Sequence, residues 1–347
     1  MLERLLIVGL GSIGARHLRL VRSLEPGLQV IAMRRGCDGP VEPGIDHCVT
    51  SLADAMRFKP QAALIANPAS HHLEVAMPLA RAGIHLLVEK PISGSCEGIG
   101  ELIAACAEAG AVLLVGYNLR FLPSLRRFRE LLAEKRIGRT LSVRAEVGQF
   151  LPSWRPGVDY RQGISANAKL GGGVLLELSH EIDYLRWLFG DVEWVSAVQR
   201  RQSALEIDVD DTAHLVLGFV PESGARPVVA SLNMDFIRHD SARTCTAIGE
   251  TGSLRWDAIE GKVEVFDQGA TAWTTLHANA PGREDSYFSQ WRHLLDCMAG
   301  TAMPLTTGED GLAVLEIVEA AKASSDAGAV IALERAGRAI HKPAVSA

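Results

Sequence analysis

The sequence contains no apolar run that approaches the ~20 residues of a membrane-spanning helix. It also lacks an excess of basic residues. Lys and Arg total 35 against 41 Asp and Glu, and a net charge of -6 gives no reason to expect nucleic acid or an anionic membrane as a partner. A first apolar segment begins at Leu5 and leaves no room for a signal peptide. These absences predict a cytoplasmic protein that binds neither membranes nor nucleic acid.

Closely spaced cysteines are absent as well. The six cysteines are scattered without a C-x-x-C pair, so neither a zinc knuckle nor a redox pair is expected, and small buried apolar side chains are favoured. Repeats and low-complexity segments are also absent. A chain of 347 residues exceeds what one hydrophobic core usually supports, so two globular domains are expected.

The strongest positive signal lies at the start of the chain. An apolar run at residues 5–8 fits a buried strand, ends in G-L-G-S-I-G and precedes a segment with helical periodicity. A strand that leads through G-x-G-x-x-G into a helix is the dinucleotide fingerprint. The glycines allow a tight turn, close approach of the backbone to a pyrophosphate, and helix–strand packing, while the helix N-terminus attracts the phosphates. The expected cofactor contacts in this turn are Gly9, Gly11, Ser12, Ile13 and Gly14.

The second strand, expected at residues 28–33, indicates which dinucleotide is bound. About 20 residues past the glycines, an acidic residue would hold the ribose 2′-hydroxyl of NAD. Arg34 and Arg35 occupy this place, and guanidinium groups pair with the 2′-phosphate of NADP. The sequence therefore favours NADP and leaves NAD possible. The alternative is two solvated arginines at the start of a loop, with Asp38 as a late ribose contact.

Three more buried strands, at residues 62–66, 84–88 and 111–115, alternate with helical segments and complete a parallel, doubly wound sheet. Ligands bind at the carboxyl ends of such strands. The loops there supply further candidate residues. Cofactor contacts are expected from Asn67, Pro68, His72, Glu89 and Lys90, with a structural role as the alternative for His72, and substrate contacts from Asn118 and Arg120.

The second half of the chain changes pattern. Apolar and polar residues alternate in six segments from residue 141 to residue 266, which predicts a mostly antiparallel sheet with one exposed face. Such a face could form an oligomer interface. Helices are expected at residues 286–298 and 310–327, and these closing helices should pack back on the first domain.

A polar and aromatic loop at residues 149–163 follows the first of these segments. Its Asp159, Tyr160 and Arg161 could bind substrate hydroxyls or an anionic group.

A helix predicted over residues 174–189 carries Glu177, His180 and Asp183 among apolar residues. A histidine flanked by carboxylates at helical spacing could transfer protons, while a buried histidine held by its neighbours is an equal alternative. A metal site is disfavoured, because no third ligand stands at a familiar spacing.

Four motifs occur along the chain in the order GLGSIGARH, NPASHH followed by VEKP, GYNLRF, and GGGVLLELSHEID. In these motifs the chain resembles the Gfo/Idh/MocA oxidoreductases, the family of glucose-fructose oxidoreductase and inositol dehydrogenase. The resemblance implies an N-terminal Rossmann domain, here residues 1–120, and a C-terminal α+β domain on an open, mostly antiparallel sheet, here residues 121–339. It also implies homodimers or homotetramers formed through that sheet. The implied reaction is hydride transfer between NAD(P) and a carbinol carbon of a sugar, nucleotide sugar or polyol.

The resemblance also implies roles for individual residues. Lys90 corresponds to the family's catalytic or substrate-orienting lysine, with Pro91 often cis. The family helix usually carries Asp four residues before His, whereas Glu177 stands three residues before His180, so His180 is preferred as the proton acceptor and Glu177 as a substrate contact. Asp183 would orient His180. Two alternatives remain, an NAD-dependent glycosidase and a non-catalytic sensor that binds a dinucleotide or sugar.

Overall fold

The structure is a computed structural model and describes residues 2–37, 42–221, 226–280, 282 and 284–333. Asp38 lies outside the described residues. Two β-sheets organise the chain, one parallel with six strands and one mostly antiparallel with nine. The predicted fold class, a Rossmann sheet followed by an α+β region, is confirmed.

The first sheet consists of short apolar strands that are buried because helices cover them on both faces. Its strands are β1 (Arg4–Val8), β2 (Gln29–Met33), β3 (His47–Val49), β4 (Ala62–Ile65), β5 (His85–Val88) and β6 (Leu113–Val115), in the order β3-β2-β1-β4-β5-β6. The helices between them are α1 (Ser12–Leu24), α2 (Leu52–Met56), α3 (His72–Arg81) and α4 (Ile99–Glu108).

The first sheet has one more strand at its edge than the sequence predicted. Five strands were expected, and β3 was missed because three half-buried residues at a sheet edge give little apolar signal. The expectation that the cysteines form no redox pair was also wrong, since Cys37 and Cys48 form a disulfide with their Cα atoms 5.8 Å apart. Cys37 follows β2 and Cys48 lies on the neighbouring β3, a proximity that comes from strand pairing and not from a local motif.

The second sheet begins after α5 (Pro123–Ala133). Its strands are β7 (Thr140–Gly148), β8 (Val192–Arg200), β9 (Thr212–Phe219), β10 (Val229–Asp235), β11 (Ala242–Gly249), β12 (Gly252–Asp257), β13 (Lys262–Asp267), β14 (Thr274–Ala278) and β15 (Ile331–Ala332). They lie in the order β14-β13-β12-β11-β7-β10-β9-β8-β15, and only β7 and β10 pair in parallel among them. The sequence patterns had predicted six of these nine strands and missed β12, β14 and β15.

The single helix predicted over residues 174–189 is two helices, α6 (Val174–Glu177) and α7 (His180–Phe189). The chain leaves helical geometry at Leu178, where φ is -100° and ψ is 21°. Because of this break, the Glu177 carbonyl at the end of α6 is free to accept a hydrogen bond from Lys90, which follows a strand of the first sheet.

Two further helices, α8 (Asp285–Met298) and α9 (Gly308–Ala327), contact the first sheet or its helices. Trp291 and Leu294 of α8 share an apolar cluster with residues of β1. On α9, a Cβ added to Gly311 would come within 3.0 Å of Ile92, so the absence of a side chain permits this contact. None of the helices in the described parts of the chain is long and apolar enough to cross a membrane.

Candidate active site

The glycine turn between β1 and α1 has the geometry of a dinucleotide site. Gly9 has φ +88°, and a Cβ there would lie 2.7 Å from the Asn67 amide nitrogen. A Cβ on Gly14 would lie 2.1 Å from the Gly9 carbonyl oxygen, so this glycine lets the helix approach the turn. A Cβ on Gly11, in contrast, would meet nothing within 4 Å, which leaves room outside the turn for a pyrophosphate.

The N-terminus of α1 has unpaired amide groups directed at that space. Gly11 is the N-cap residue and has no side chain with which to cap the helix. The Ala15 amide donates to the Gly11 carbonyl at 2.9 Å, so the amides of Ser12, Ile13 and Gly14 precede the first helical hydrogen bond. This set of donors fits the pyrophosphate of NAD or NADP, and a bound nicotinamide would supply the hydride acceptor.

Arg34 and Arg35 lie where β2 ends, next to the glycine turn. The Gly9 amide donates to the Met33 carbonyl at 3.1 Å, which brings the two strand ends together. Arg34 is half-buried and Arg35 is exposed. Among the described residues, no carboxylate pairs with either guanidinium group, and both are therefore free to bind an anion.

Asn67 and His72 follow β4 and differ in what they can bind. The Asn67 side-chain oxygen is buried without a hydrogen-bond partner in the described structure, and Pro68 beside it is half-buried. His72 is 1% exposed, and its ring nitrogens lie 2.8 Å from the Asn67 carbonyl and 3.3 Å from the Ile92 carbonyl. Burial lowers the pKa of His72. His72 thus ties two loops together, which is the structural role expected as its alternative, and its contact with the cofactor stays a prediction.

Lys90 lies two residues past the end of β5, and the peptide bond to Pro91 is cis, as the family resemblance implied. Its side chain reaches the break between α6 and α7, where Nζ donates to the Glu177 carbonyl at 2.8 Å. The break that the sequence did not predict provides this acceptor. The side-chain carboxylate of Glu177 points elsewhere and accepts from Ser165 Oγ at 2.5 Å.

Glu89 binds groups of the protein itself, and its expected contact with the cofactor stays a prediction. It is 7% exposed, and both carboxylate oxygens are already bound within the protein. Oε1 lies 2.7 Å from His17 Nε2, and Oε2 accepts from the Lys90 amide at 3.1 Å.

His180 begins α7, three residues past the carbonyl that Lys90 binds. Its ring packs edge-on against Tyr117 at a centroid distance of 5.7 Å, and its Nδ1 is buried with no hydrogen-bond partner among the described residues. Burial, reinforced by the positive charges of Lys90 and Arg243, holds the pKa of His180 well below the ordinary value of 6.5. At neutral pH the imidazole is therefore uncharged and able to accept a proton.

Asp183 does not orient His180, contrary to the sequence interpretation. Its carboxylate is fully buried and accepts two hydrogen bonds from Arg120, at 2.6 and 3.0 Å. Burial raises the pKa of Asp183 to about 6, while the charge and hydrogen bonds of Arg120 oppose this rise. Arg120 also donates to Asp310 on α9 at 3.1 Å. With 2% exposure, Arg120 belongs to an internal ion-pair network and is not available to a substrate.

The remaining predicted substrate residues divide into two groups. Asn118 is buried and donates to Ser286 Oγ at 2.7 Å, so it joins the first sheet to α8 and was wrongly placed at the substrate. Arg161 pairs with Asp159 at 2.8 Å and with Glu206 at 2.6 Å on an exposed loop. Among the described residues, no direct contact joins Asp159 or Glu206 to Lys90.

A small cavity lies beside this loop and is lined by Asp159 and Tyr160 together with Trp154 and Ser165. Ser165 donates to the Glu177 side chain, and the Glu177 carbonyl binds Lys90. Neither Lys90 nor His180 lines the cavity, so these contacts link the loop to Lys90 only indirectly, through Glu177.

Sequence reasoning missed Arg243, which belongs to the same region. It lies on β11, half-buried, with Nε 2.7 Å from the fully buried Glu181 carboxylate next to His180. An arginine in an alternating strand gives no local signal of such a role. Across the described residues, no group of three or more side chains could hold a metal ion.

Two models of one family match the chain. "Oxidoreductase family, NAD-binding Rossmann fold" matches residues 4–117, and "GFO/IDH/MocA C-terminal domain" matches residues 125–255. Together they cover most of the chain, including the glycine turn, Lys90 and His180.

Individual proteins with similar sequences or structures agree with these matches. The D-apiose dehydrogenase of Paraburkholderia graminis is 26% identical over 351 residues, covering 94% of this chain and 89% of that protein. The myo-inositol 2-dehydrogenase of Thermotoga maritima is 24% identical over 344 residues, covering 95% and 98%. A levoglucosan dehydrogenase, solved in complex with NADH and levoglucosan, shares the fold with a TM-score of 0.84 at 20% identity, covering 96% of this chain and 100% of that one.

The glycine turn, the cis Lys90–Pro91 bond and the two-sheet architecture thus agree with the sequence matches. The chain belongs to the Gfo/Idh/MocA family and is an NAD-binding oxidoreductase.

Proposed function

We propose that this protein is an NADP-preferring dehydrogenase that transfers a hydride between the cofactor and a carbinol carbon of a sugar or polyol. The observation that carries the proposal is the contact of Lys90 Nζ with the Glu177 carbonyl, because it brings an ammonium group to the segment that begins α7 with His180. Relatives named for D-apiose and myo-inositol support a polyhydroxylated substrate.

The two side chains have complementary tasks in this reaction. The Lys90 ammonium donates a hydrogen bond to the substrate oxygen and stabilises the negative charge that develops there. His180, uncharged at neutral pH, accepts the hydroxyl proton during oxidation and returns it during reduction. The bound nicotinamide would supply the hydride acceptor or donor, while the protein holds the substrate carbon against it.

Replacement of Lys90 tests this proposal directly. We expect Lys90→Ala to lower kcat by about 10²- to 10³-fold, since one preorganised donor is lost, while cofactor affinity stays unchanged. Turnover is scored as reduced nicotinamide over a panel containing D-apiose, myo-inositol and levoglucosan, and cofactor affinity by calorimetry. Lys262→Ala, at an ion pair on β13, is the matched control.

Two results would contradict the assignment. Unchanged turnover in Lys90→Ala would remove this residue from the mechanism. Sugar cleavage without net reduction of the cofactor would instead indicate a glycosidase.

NADP preference rests on Arg34 and Arg35, whose guanidinium groups have no carboxylate partner among the described residues. In Arg34→Ala/Arg35→Ala we expect NADP affinity to fall by about 10- to 100-fold, the size of one or two charge-assisted hydrogen bonds, while NAD affinity changes little. Calorimetric titration with both cofactors measures this, with Arg57→Ala at an exposed ion pair as the control. An equal loss for the two cofactors would refute the 2′-phosphate contact.

The proposal also covers how the chain divides into domains and how copies of it associate. Residues 1–120 would bind the cofactor, and residues 121–339 would bind the substrate and a second copy of the chain. Support for assembly comes from the nine-stranded sheet, on which Val198 and Val216 are 51% and 39% exposed on adjacent strands. We propose a homodimer or homotetramer formed through this face.

A further inference from the structure

A chain of buried hydrogen bonds connects α8 to the backbone of Lys90. Trp291 Nε1 donates to His17 Nδ1 at 2.8 Å, and His17 Nε2 lies 2.7 Å from Glu89 Oε1. Glu89 Oε2 then accepts from the Lys90 amide at 3.1 Å. Trp291 and His17 are completely buried, so water does not compete for these bonds.

The direction of every bond in this chain is determined by the indole. A tryptophan Nε1–H can only donate, so His17 Nδ1 must accept and carries no proton. The one proton of the ring is therefore on Nε2, from which it is donated to Glu89. His17 is thus an uncharged imidazole in a single tautomer.

Glu89 is ionised as a consequence. Burial pushes the pKa of Glu89 upward, but the hydrogen bond from His17 and the charge of Lys90 outweigh it and lower the pKa below its ordinary value. The carboxylate lies against Gly116, where an added Cβ would come 2.8 Å from Oε2, so the absence of a side chain at this residue leaves room for Glu89. A fixed negative charge therefore holds the amide of the residue that acts on the substrate.

We propose that Trp291 is a positioning residue for Lys90: by donating to His17 it fixes the imidazole tautomer that keeps Glu89 on the Lys90 amide. This inference rests on the proposed function, in which Lys90 acts on the substrate oxygen. Without the indole donor, Nδ1 has no partner, so the ring can take either tautomer and its Nε2–H bond to Glu89 is no longer fixed.

Trp291 could instead serve only to fill the core, and Trp256 provides the control for that role. Trp256 is also completely buried and donates its Nε1 to Ser124 Oγ at 3.0 Å. Trp256→Phe and Trp291→Phe each remove a buried indole and one hydrogen bond. Only Trp291→Phe removes a bond that leads to Lys90.

The first measurement needs no substrate. In ¹⁵N spectra of the histidine rings, wild-type His17 should show a single tautomer with its proton on Nε2. That single tautomer should be lost in Trp291→Phe and kept in Trp256→Phe. Deuterium exchange of the Lys90 amide should rise about tenfold in Trp291→Phe alone. An Nδ1–H tautomer or a charged His17 in the wild type would overturn the proposal even if neither variant folds.

The second measurement is turnover. We expect kcat to fall in Trp291→Phe and to stay near the wild-type value in Trp256→Phe, because only the first change releases the ring that holds Glu89 on the Lys90 amide. Adding His17→Gln to Trp291→Phe should restore part of the turnover, because the Gln amide can donate to Glu89 and has no second tautomer. Equal turnover, ring spectra and exchange rates in Trp291→Phe and Trp256→Phe would show that Trp291 is only a core residue.

The two proposals fail in different ways. Full turnover in Lys90→Ala would end the proposed function whatever the state of His17. An inactive Lys90→Ala together with an unaltered His17 in Trp291→Phe would end only the positioning role of Trp291.

Discussion

His180 has the most sharply defined chemical state of the candidate catalytic residues. Two positive groups, Lys90 and Arg243, act on a ring that is almost completely buried, and both effects favour the uncharged form. Its own helix supplies no carboxylate for the ring, since Asp183 is bound to Arg120. The imidazole is thus uncharged at neutral pH, as the proposed role of proton acceptor requires.

The pH dependence of oxidation tests this state. Because the pKa of His180 is depressed, the base form is fully present above the ordinary value of 6.5 and is lost only as pH falls through the lower value. We expect kcat for oxidation to stay level down through pH 6.5 and to decline below it. A profile that falls by half at the ordinary imidazole value would show that His180 is not the proton acceptor. In His180→Asn the acid limb should disappear along with most of the activity.

Single residues show how far sequence reasoning reaches. Lys90 is a candidate from sequence because it follows a buried strand at the ligand edge of a parallel sheet. Arg120 and Asp183 have the same polar character, yet they neutralise each other across a separation of 63 residues. No local pattern can distinguish a buried ion pair from two groups that wait for a substrate. For the same reason Asn118 and Glu89 were assigned to ligands and are bound within the protein.

Among the elements, the glycine turn contains one glycine that packing requires and one that faces open space, so substitutions there can distinguish effects on stability from effects on cofactor binding. Gly14→Ala would place a methyl 2.1 Å from the Gly9 carbonyl, so α1 must move away from β1. We expect a loss of stability of about 1–3 kcal/mol together with loss of cofactor binding. Thermal unfolding and calorimetric titration measure the two effects.

Gly11→Ala is the matched substitution in the same turn. Its methyl meets no protein atom within 4 Å, so the unfolding temperature should stay unchanged while the affinity for either dinucleotide falls. Normal cofactor affinity in Gly11→Ala would show that the pyrophosphate does not approach this residue.

The broken helix shows why element boundaries were only partly predictable. Apolar periodicity continues through residues 174–189, and nothing in that pattern marks an end at Glu177. The partners that stabilise the break come from elsewhere in the chain, since Lys90 binds the Glu177 carbonyl and Ser165 binds its carboxylate. Strand β12 was missed although its Leu254 and Trp256 are completely buried, because a six-residue strand next to a turn gives a weak pattern.

In the whole molecule, the two sheets are held in one arrangement by charges as well as apolar contacts. Arg120, after β6, joins Asp183 on α7 to Asp310 on α9. Trp291 and Asn118 add hydrogen bonds between α8 and the first sheet's loops and helix α1. These contacts fix the two sheets relative to each other around the contact of Lys90 with the Glu177 carbonyl. Such rigidity suits the proposed reaction, which depends on the placement of the substrate.

The exposed face of the nine-stranded sheet is the interface that we propose for assembly. Val198 is 51% exposed whereas its neighbour Ala197 is 8% exposed, so the strand turns an apolar side chain outward, and Val216 does the same on β9. We expect Val198→Arg/Val216→Arg to dissociate the assembly, because burying two new guanidinium groups without partners is unfavourable. Sedimentation velocity would show the wild type as a dimer or tetramer and the variant as a monomer. Ile259→Arg, on a turn after β12 with 54% exposure, should leave the assembly intact. A monomeric wild type, or equal dissociation by Ile259→Arg, would exclude this face as the interface.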